Sequence, residues 1–293
     1  MFNHLKPNLF AFALLIILVS CKSKNVQQRN AFIKINNTNI VYDVCGSGDT
    51  TILFLHGWGI NKEYWSNQTI YFCDRYKVIT MDLPGFGQSG KERTEWNFEK
   101  FTDDIHDFIR EKKLKNVVLV GHSMSGDILL LMDTKYPDAI IGIVGIDNLH
   151  TPGVKNTELQ TREINQFFAM MDSSFSGTAE MYTRNYLFPK GADSNIVKRV
   201  ANDIKSNDSA IAIKVLRSLA DISQREKEMM VELNHKLYLV NSDVNTTQID
   251  SLKKYCKVSA AVEYVKGTGH YPMIENPAEF NGALEKVIRD IGN

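Results

Sequence analysis

The stretch Val117-Val118-Leu119-Val120-Gly121-His122-Ser123-Met124-Ser125-Gly126 constrains this chain more than any other. Four consecutive apolar residues suit a strand covered on both faces, as in a parallel sheet. An apolar helix predicted over Met124 to Lys135 follows at once, so the backbone must turn sharply between the two. Bulky side chains two residues either side of Ser123 would collide with the adjoining backbone, and the small Gly121 and Ser125 hold those places. The helix directs its N-terminal amides and positive dipole end at Ser123, which favours developing negative charge. This is the geometry of a nucleophile, with Ser125 where a second glycine is usual.

The rest of the chain repeats the same alternation. Strands are expected at Ala31 to Ile35, Ile40 to Val44, Thr51 to Leu55, Lys77 to Met81, Val117 to Val120, Ile140 to Ile146, Lys236 to Val240 and Val262 to Val265. The first two read as an antiparallel hairpin across Asn36 to Asn39. Phe98 to Lys113 places Phe98, Phe101, Ile105, Phe108 and Ile109 on one helical stripe, and Pro277 to Arg289 also reads as a helix. Repeated βα units mean an α/β fold around a mostly parallel sheet. Residues 151–232 break the rhythm: helix-rich and without a convincing strand, they are too long for a loop and read as a helical cap. The core is then 31–150 and 233–293. With 43% hydrophobic residues this core is sizeable, and 34 basic residues against 34 acidic ones offer no concentrated face for nucleic acid.

The N-terminus does not share that composition. A short polar head with His4 and Lys6 precedes an apolar run from Leu9 to Val19, too short to span a bilayer and of the right length for a secretory signal. Leu18-Val19-Ser20-Cys21 resembles the lipobox of bacterial lipoproteins. That resemblance implies a signal peptide over 1–20, lipidation (palmitate) at Cys21, a tether over 21–30 and attachment to a membrane of the bacterial envelope. Lys22 stands where an inner-membrane retention signal would place aspartate, which points to an outer membrane or periplasmic face. Cys45, Cys73 and Cys256 remain; they form no CxxC pair or zinc-like cluster, so no metal is called for. Two of them could pair, and which two stays open beside the simpler reading of buried free thiols.

Two glycine-rich loops accompany Ser123. Leu53-Phe54-Leu55-His56-Gly57-Trp58-Gly59 ends a strand where backbone amides can be aimed at a substrate oxygen. The amides of Trp58 and Met124 would form an oxyanion hole, with His56 bracing the loop. Downstream, Gly267-Thr268-Gly269-His270-Tyr271-Pro272 follows a strand, and the flanking glycines free His270 to reach the serine as general base. These motifs, with Asp82-Leu83-Pro84-Gly85-Phe86-Gly87-Gln88-Ser89, resemble the α/β-hydrolase superfamily from about residue 31 to the C-terminus. The resemblance implies an eight-stranded sheet, a cap between strands six and seven, and serine-hydrolase chemistry without a cofactor. In that fold's Ser…Asp…His order the acid is expected at Asp243, after the strand Lys236 to Val240. The rival is Asp147, one strand earlier, where some members of the fold carry it.

A serine nucleophile argues against the halide- and epoxide-opening members, which carry aspartate. The expected activity is hydrolysis of a small or acyl-chain carboxylic ester through an acyl-enzyme, with C–C or amide hydrolysis and acyl transfer available to the same groups. Cap residues such as Phe167, Phe175, Tyr182 and Phe188 would line an apolar pocket or form the cap's own core. A ligand-binding envelope lipoprotein without turnover is the alternative from another class.

Overall fold

The computed structural model describes residues 26–154 and 156–292. The expected signal peptide and Cys21 lie outside the described residues. Eight strands form one sheet: β1 (Val26–Ile35), β2 (Thr38–Cys45), β3 (Thr51–Leu55), β4 (Lys77–Met81), β5 (Val117–His122), β6 (Gly142–Ile146), β7 (Leu237–Ser242) and β8 (Ala260–Val265). Their spatial order is β1-β2-β4-β3-β5-β6-β7-β8. The β1–β2 and β2–β4 pairs are antiparallel and every other pair is parallel. β3, β5 and β6 are buried along their whole length, as expected of strands covered on both faces.

The hairpin differs from expectation at its start. β1 begins at Val26, inside the stretch expected to be a tether, and its pairing with β2 slips twice before Ala31. Polar residues at Gln28 and Arg29 are exposed there and gave no strand pattern. β6 starts two residues late because Pro137–Ala139 form a 3₁₀ turn ahead of it.

Helices α1 (Ser66–Phe72), α2 (Phe98–Glu111) and α3 (Ser125–Lys135) precede β6. Between β6 and β7 come α4 (Glu158–Ser173), α5 (Phe175–Tyr186), α6 (Ser194–Lys205), α7 (Ser209–Ile222) and α8 (Glu226–Val231), with no strand among the described residues. Local chemistry starts several of them: Thr157 and Gln160 form a capping box on α4, and the Asp193 and Asp208 carboxylates cap α6 and α7. The remaining helices are α9 (Ile249–Tyr255), α10 (Pro272–Glu275) and α11 (Pro277–Ile291).

The inserted helices are fastened to the sheet by polar contacts as well as packing. Trp58 Nε1 donates to Ala212 O at 2.8 Å, Asn207 Nδ2 to Gly59 O at 2.8 Å, and the Tyr64 hydroxyl to Asp203 Oδ2 at 2.7 Å. Phe168, Met171, Met229 and Met230 are buried within this region, whereas Met170 and Tyr186 are exposed. A disulfide joins Cys45, at the end of β2, to Cys73, just after α1, with Cα atoms 5.6 Å apart. Cys256 is a buried free thiol, raised by burial to about 11.

Candidate active site

β5 ends at His122, and Ser123 adopts φ +52° before α3 begins. A non-glycine residue in this region is held by its surroundings. Ser123 N–H donates to Ile146 O at 2.9 Å, and its carbonyl accepts from Gly126 N–H at 2.9 Å. Space explains the small neighbours. A Cβ on Gly121 would lie 2.8 Å from Ser125 O, and one on Gly57 would lie 2.5 Å from His122 Nδ1 and 3.1 Å from Ser123 Cβ. The loop that carries Trp58 therefore runs directly against the serine. Ser125, in place of the usual glycine, is buried, and its hydroxyl donates to His56 O at 2.6 Å, tying the elbow to that loop.

His270 follows β8 and reaches back to the elbow. Its Nε2 is 2.8 Å from Ser123 Oγ, and both residues keep partial solvent exposure. Its Nδ1 is 2.6 Å from Asp147 Oδ2. The expected acid, Asp243, is not there. It is exposed, and its Oδ1 accepts from Gly267 N–H at 2.8 Å, bracing the turn that leads to His270. β7 runs two residues further than expected, so Asp243 N–H still pairs with Val265 O and its side chain turns toward the β8 side. The rival position holds the geometry. Asp147, directly after β6, takes φ +45°, which turns its side chain toward His270.

Asp147 is almost wholly buried, and its Oδ1 accepts from Ser242 N–H at 2.9 Å. Burial works against its charge, but contacts from His150 and His270 outweigh it and hold the carboxyl well below the usual carboxylate range. An ionised acid on Nδ1 leaves Nε2 of a neutral His270 free to accept the serine proton.

The loop of His270 is held on both sides. Its N–H donates to Leu187 O at 2.9 Å, and its carbonyl accepts from His122 Nε2 at 2.7 Å. His122 is buried, and burial with the adjacent His270 pulls its pKa down to about 3, so it stays neutral and donates. Glu275 accepts from Gly269 N–H and Tyr271 N–H, each at 2.9 Å, gripping the backbone either side of His270. A Cβ on Gly269 would lie 2.7 Å from Leu187 O, so only glycine allows that approach. His122 and Glu275 were not singled out in the sequence; Glu275 stands four residues after Tyr271, at the end of α10, which is the spacing that lets it fold back.

Asn148 supports the elbow from the other side. Its Nδ2 lies 3.0 Å from Gly121 O, and Asn241 in turn donates to Asn148 O at 3.0 Å. His56 is a brace: fully buried, its Nδ1 faces Gly57 O at 2.7 Å and its Nε2 accepts from Leu83 N–H at 2.9 Å. The Trp58 indole is engaged by Ala212. Aromatic rings of the segment between β6 and β7 approach this edge, with Phe175 6.2 Å from Trp58 and Phe188 stacked 5.3 Å from Tyr271. A separate cavity of about 780 Å³, lined by residues including Thr151, Asn165, Arg217 and Glu226, does not contain Ser123. No cluster of three or more metal-ligating side chains occurs among the described residues, and no described helix is long and apolar enough to cross a membrane.

Known proteins share this arrangement of chain. A family model for the alpha/beta hydrolase fold matches residues 50–193. Pimeloyl-[acyl-carrier protein] methyl ester esterase of Wigglesworthia glossinidia brevipalpis is 26% identical over 166 residues, covering 54% of this chain and 60% of the esterase; the match thus spans about three-fifths of that relative. The strigolactone esterase of Arabidopsis thaliana is 21% identical over 257 residues, 84% of this chain and 94% of the plant protein. Among solved structures, an esterase from Exiguobacterium antarcticum superposes with a TM-score of 0.78 at 18% identity, covering 89% of this chain and 99% of that one.

Proposed function

We propose that this chain, which has the α/β-hydrolase fold, is a serine hydrolase that cleaves carboxylic esters through an acyl-enzyme, with Ser123, His270 and Asp147 as its triad. The observation that carries this reading is the continuous contact from Ser123 Oγ through the His270 ring to Asp147, at 2.8 and 2.6 Å. His270 Nε2 takes the Ser123 proton as Oγ attacks the acyl carbonyl, and Asp147 stabilises the imidazolium that forms. The imidazolium then protonates the leaving alcohol, and a water activated by the same ring releases the acid. The amides of Trp58 and Met124 are assigned to the oxyanion, since one lies in the loop against Ser123 and the other follows it in the chain.

The substrate is a small molecule with an acyl group, entering beneath helices α4 to α7; esterases among the relatives favour ester over amide chemistry. For location, the lipobox-like Leu18 to Cys21 supports a lipid-anchored envelope protein, and the Cys45–Cys73 disulfide suits an oxidising compartment. Intact-mass labelling with a fluorophosphonate tests the chemistry. The protein should gain one adduct, lost in Ser123→Ala and His270→Ala, and should hydrolyse members of an ester panel graded by acyl length. A folded protein that neither labels nor turns over any ester would overturn the assignment.

A further inference from the structure

A second histidine faces the acid of the triad. Asp147 and Leu149 both adopt left-handed backbone, at φ +45° and +51°. For a bulky leucine this conformation is strained and persists only where the surroundings impose it. The turn folds the chain back on itself, so that His150 Nε2 lies 3.5 Å from Asp147 Oδ1, three residues earlier. His150 is fastened there by its carbonyl, which accepts from Gln248 N–H at 2.8 Å.

The surroundings of the ring favour a proton on Nε2. Asn241 Nδ2, which can only donate, gives a hydrogen bond to Thr247 Oγ1 at 2.9 Å. The Thr247 hydroxyl proton is then available to His150 Nδ1, 3.3 Å away. With Nδ1 accepting, a neutral ring holds its proton on Nε2. That nitrogen is buried and makes no hydrogen bond among the described residues, and the carboxylate 3.5 Å away is the acceptor in front of it.

Resting on the hydrolase reading above, we propose that His150 is a positioning residue: its Nε2–H steadies Asp147 Oδ1, so that Oδ2 stays turned to His270. Ser242 N–H supplies one donor to Oδ1 from β7, and His150 supplies a second from the connection leaving β6. Two donors on one oxygen, reaching it from different elements, stop the carboxylate rocking away from the imidazole. Through Gln248 and Thr247 the β7–α9 connection takes part in holding the acid.

The test compares His150→Phe, His150→Gln and Thr247→Val with the parent. The readouts are the strongly downfield proton resonance of His270 Nδ1, kcat and KM on one ester, and the thermal midpoint. His150→Phe should shift or broaden the resonance and lower kcat about tenfold, with KM within about twofold, as small misplacements of reacting groups do. His150→Gln, which keeps an N–H donor, should recover most of both, and Thr247→Val should fall between. A folded His150→Phe with the parent's resonance and kcat would overturn the proposal, as would a Gln variant no better than Phe. If the Phe variant does not fold, Thr247→Val and His150→Gln decide it: a parent-like resonance and kcat in Thr247→Val, or their loss in a folded His150→Gln, would refute the donor role. The resonance is read without substrate, so absence of ester turnover would sink the hydrolase reading while leaving this one to be judged on the proton.

Discussion

Asp147 and Asp243 each follow a strand that ends at the same edge of the sheet, and only Asp147 reaches the imidazole. Asp147→Asn should therefore lower kcat by about a thousand- to ten-thousand-fold, because an amide cannot hold the working tautomer of His270. Asp243→Asn should stay within about threefold, since its carboxylate braces a turn from an exposed position. Steady-state kinetics of both variants on one ester checks the pair. Ser123 and His270 were readable in the sequence because each sits between small residues that only a tight turn requires. Which of the two aspartates meets the imidazole was not readable. Both aspartates lie between Ser123 and His270 and both follow strands; what separates them is the left-handed turn at Asp147 and donors from Ser242 and the distant His270, none of which leaves a local pattern. Glu275 was missed for a related reason, as its partners are backbone amides rather than a recognisable side-chain motif.

At the scale of elements, α3 and the inserted α8 bring two carboxyl groups together, Asp127 and Glu226. Burial and the neighbouring Glu226 push Asp127 well above its ordinary value, and burial raises Glu226 to about 7. The folded state thus binds the Glu226 proton more tightly than the unfolded chain does. The stability it contributes is full below about 4.5 and is lost as pH rises through about 7. Glu226→Gln should match the parent in urea unfolding at pH 4.5 and exceed it at pH 8 by on the order of 2 kcal/mol. A parent whose stability does not fall between those two values would contradict the pairing. Apart from the start of β1, the strands were legible to within two residues because β-branched runs and turn residues mark them directly. The seven-residue helices α1 and α9 were not, being too short to show a helical period.

For the molecule as a whole, the Cys45–Cys73 bridge fastens the antiparallel edge of the sheet to the first helix across 28 residues of sequence. Closing a loop of that length is worth roughly 3 kcal/mol, so Cys45→Ser with Cys73→Ser should lower the thermal midpoint by about 5–10 °C. Calorimetry of the double variant checks this, and ester turnover at 25 °C should survive because the bridge lies away from Ser123. The bond between His270 N–H and Leu187 O has a different kind of consequence. The end of α5 leads into the stretch that rests on Gly269, and the loop beneath it carries the base. Displacing that end would release His270 from one of its anchors. On the proposed function, access to Ser123 and the placing of His270 would thus share one anchor.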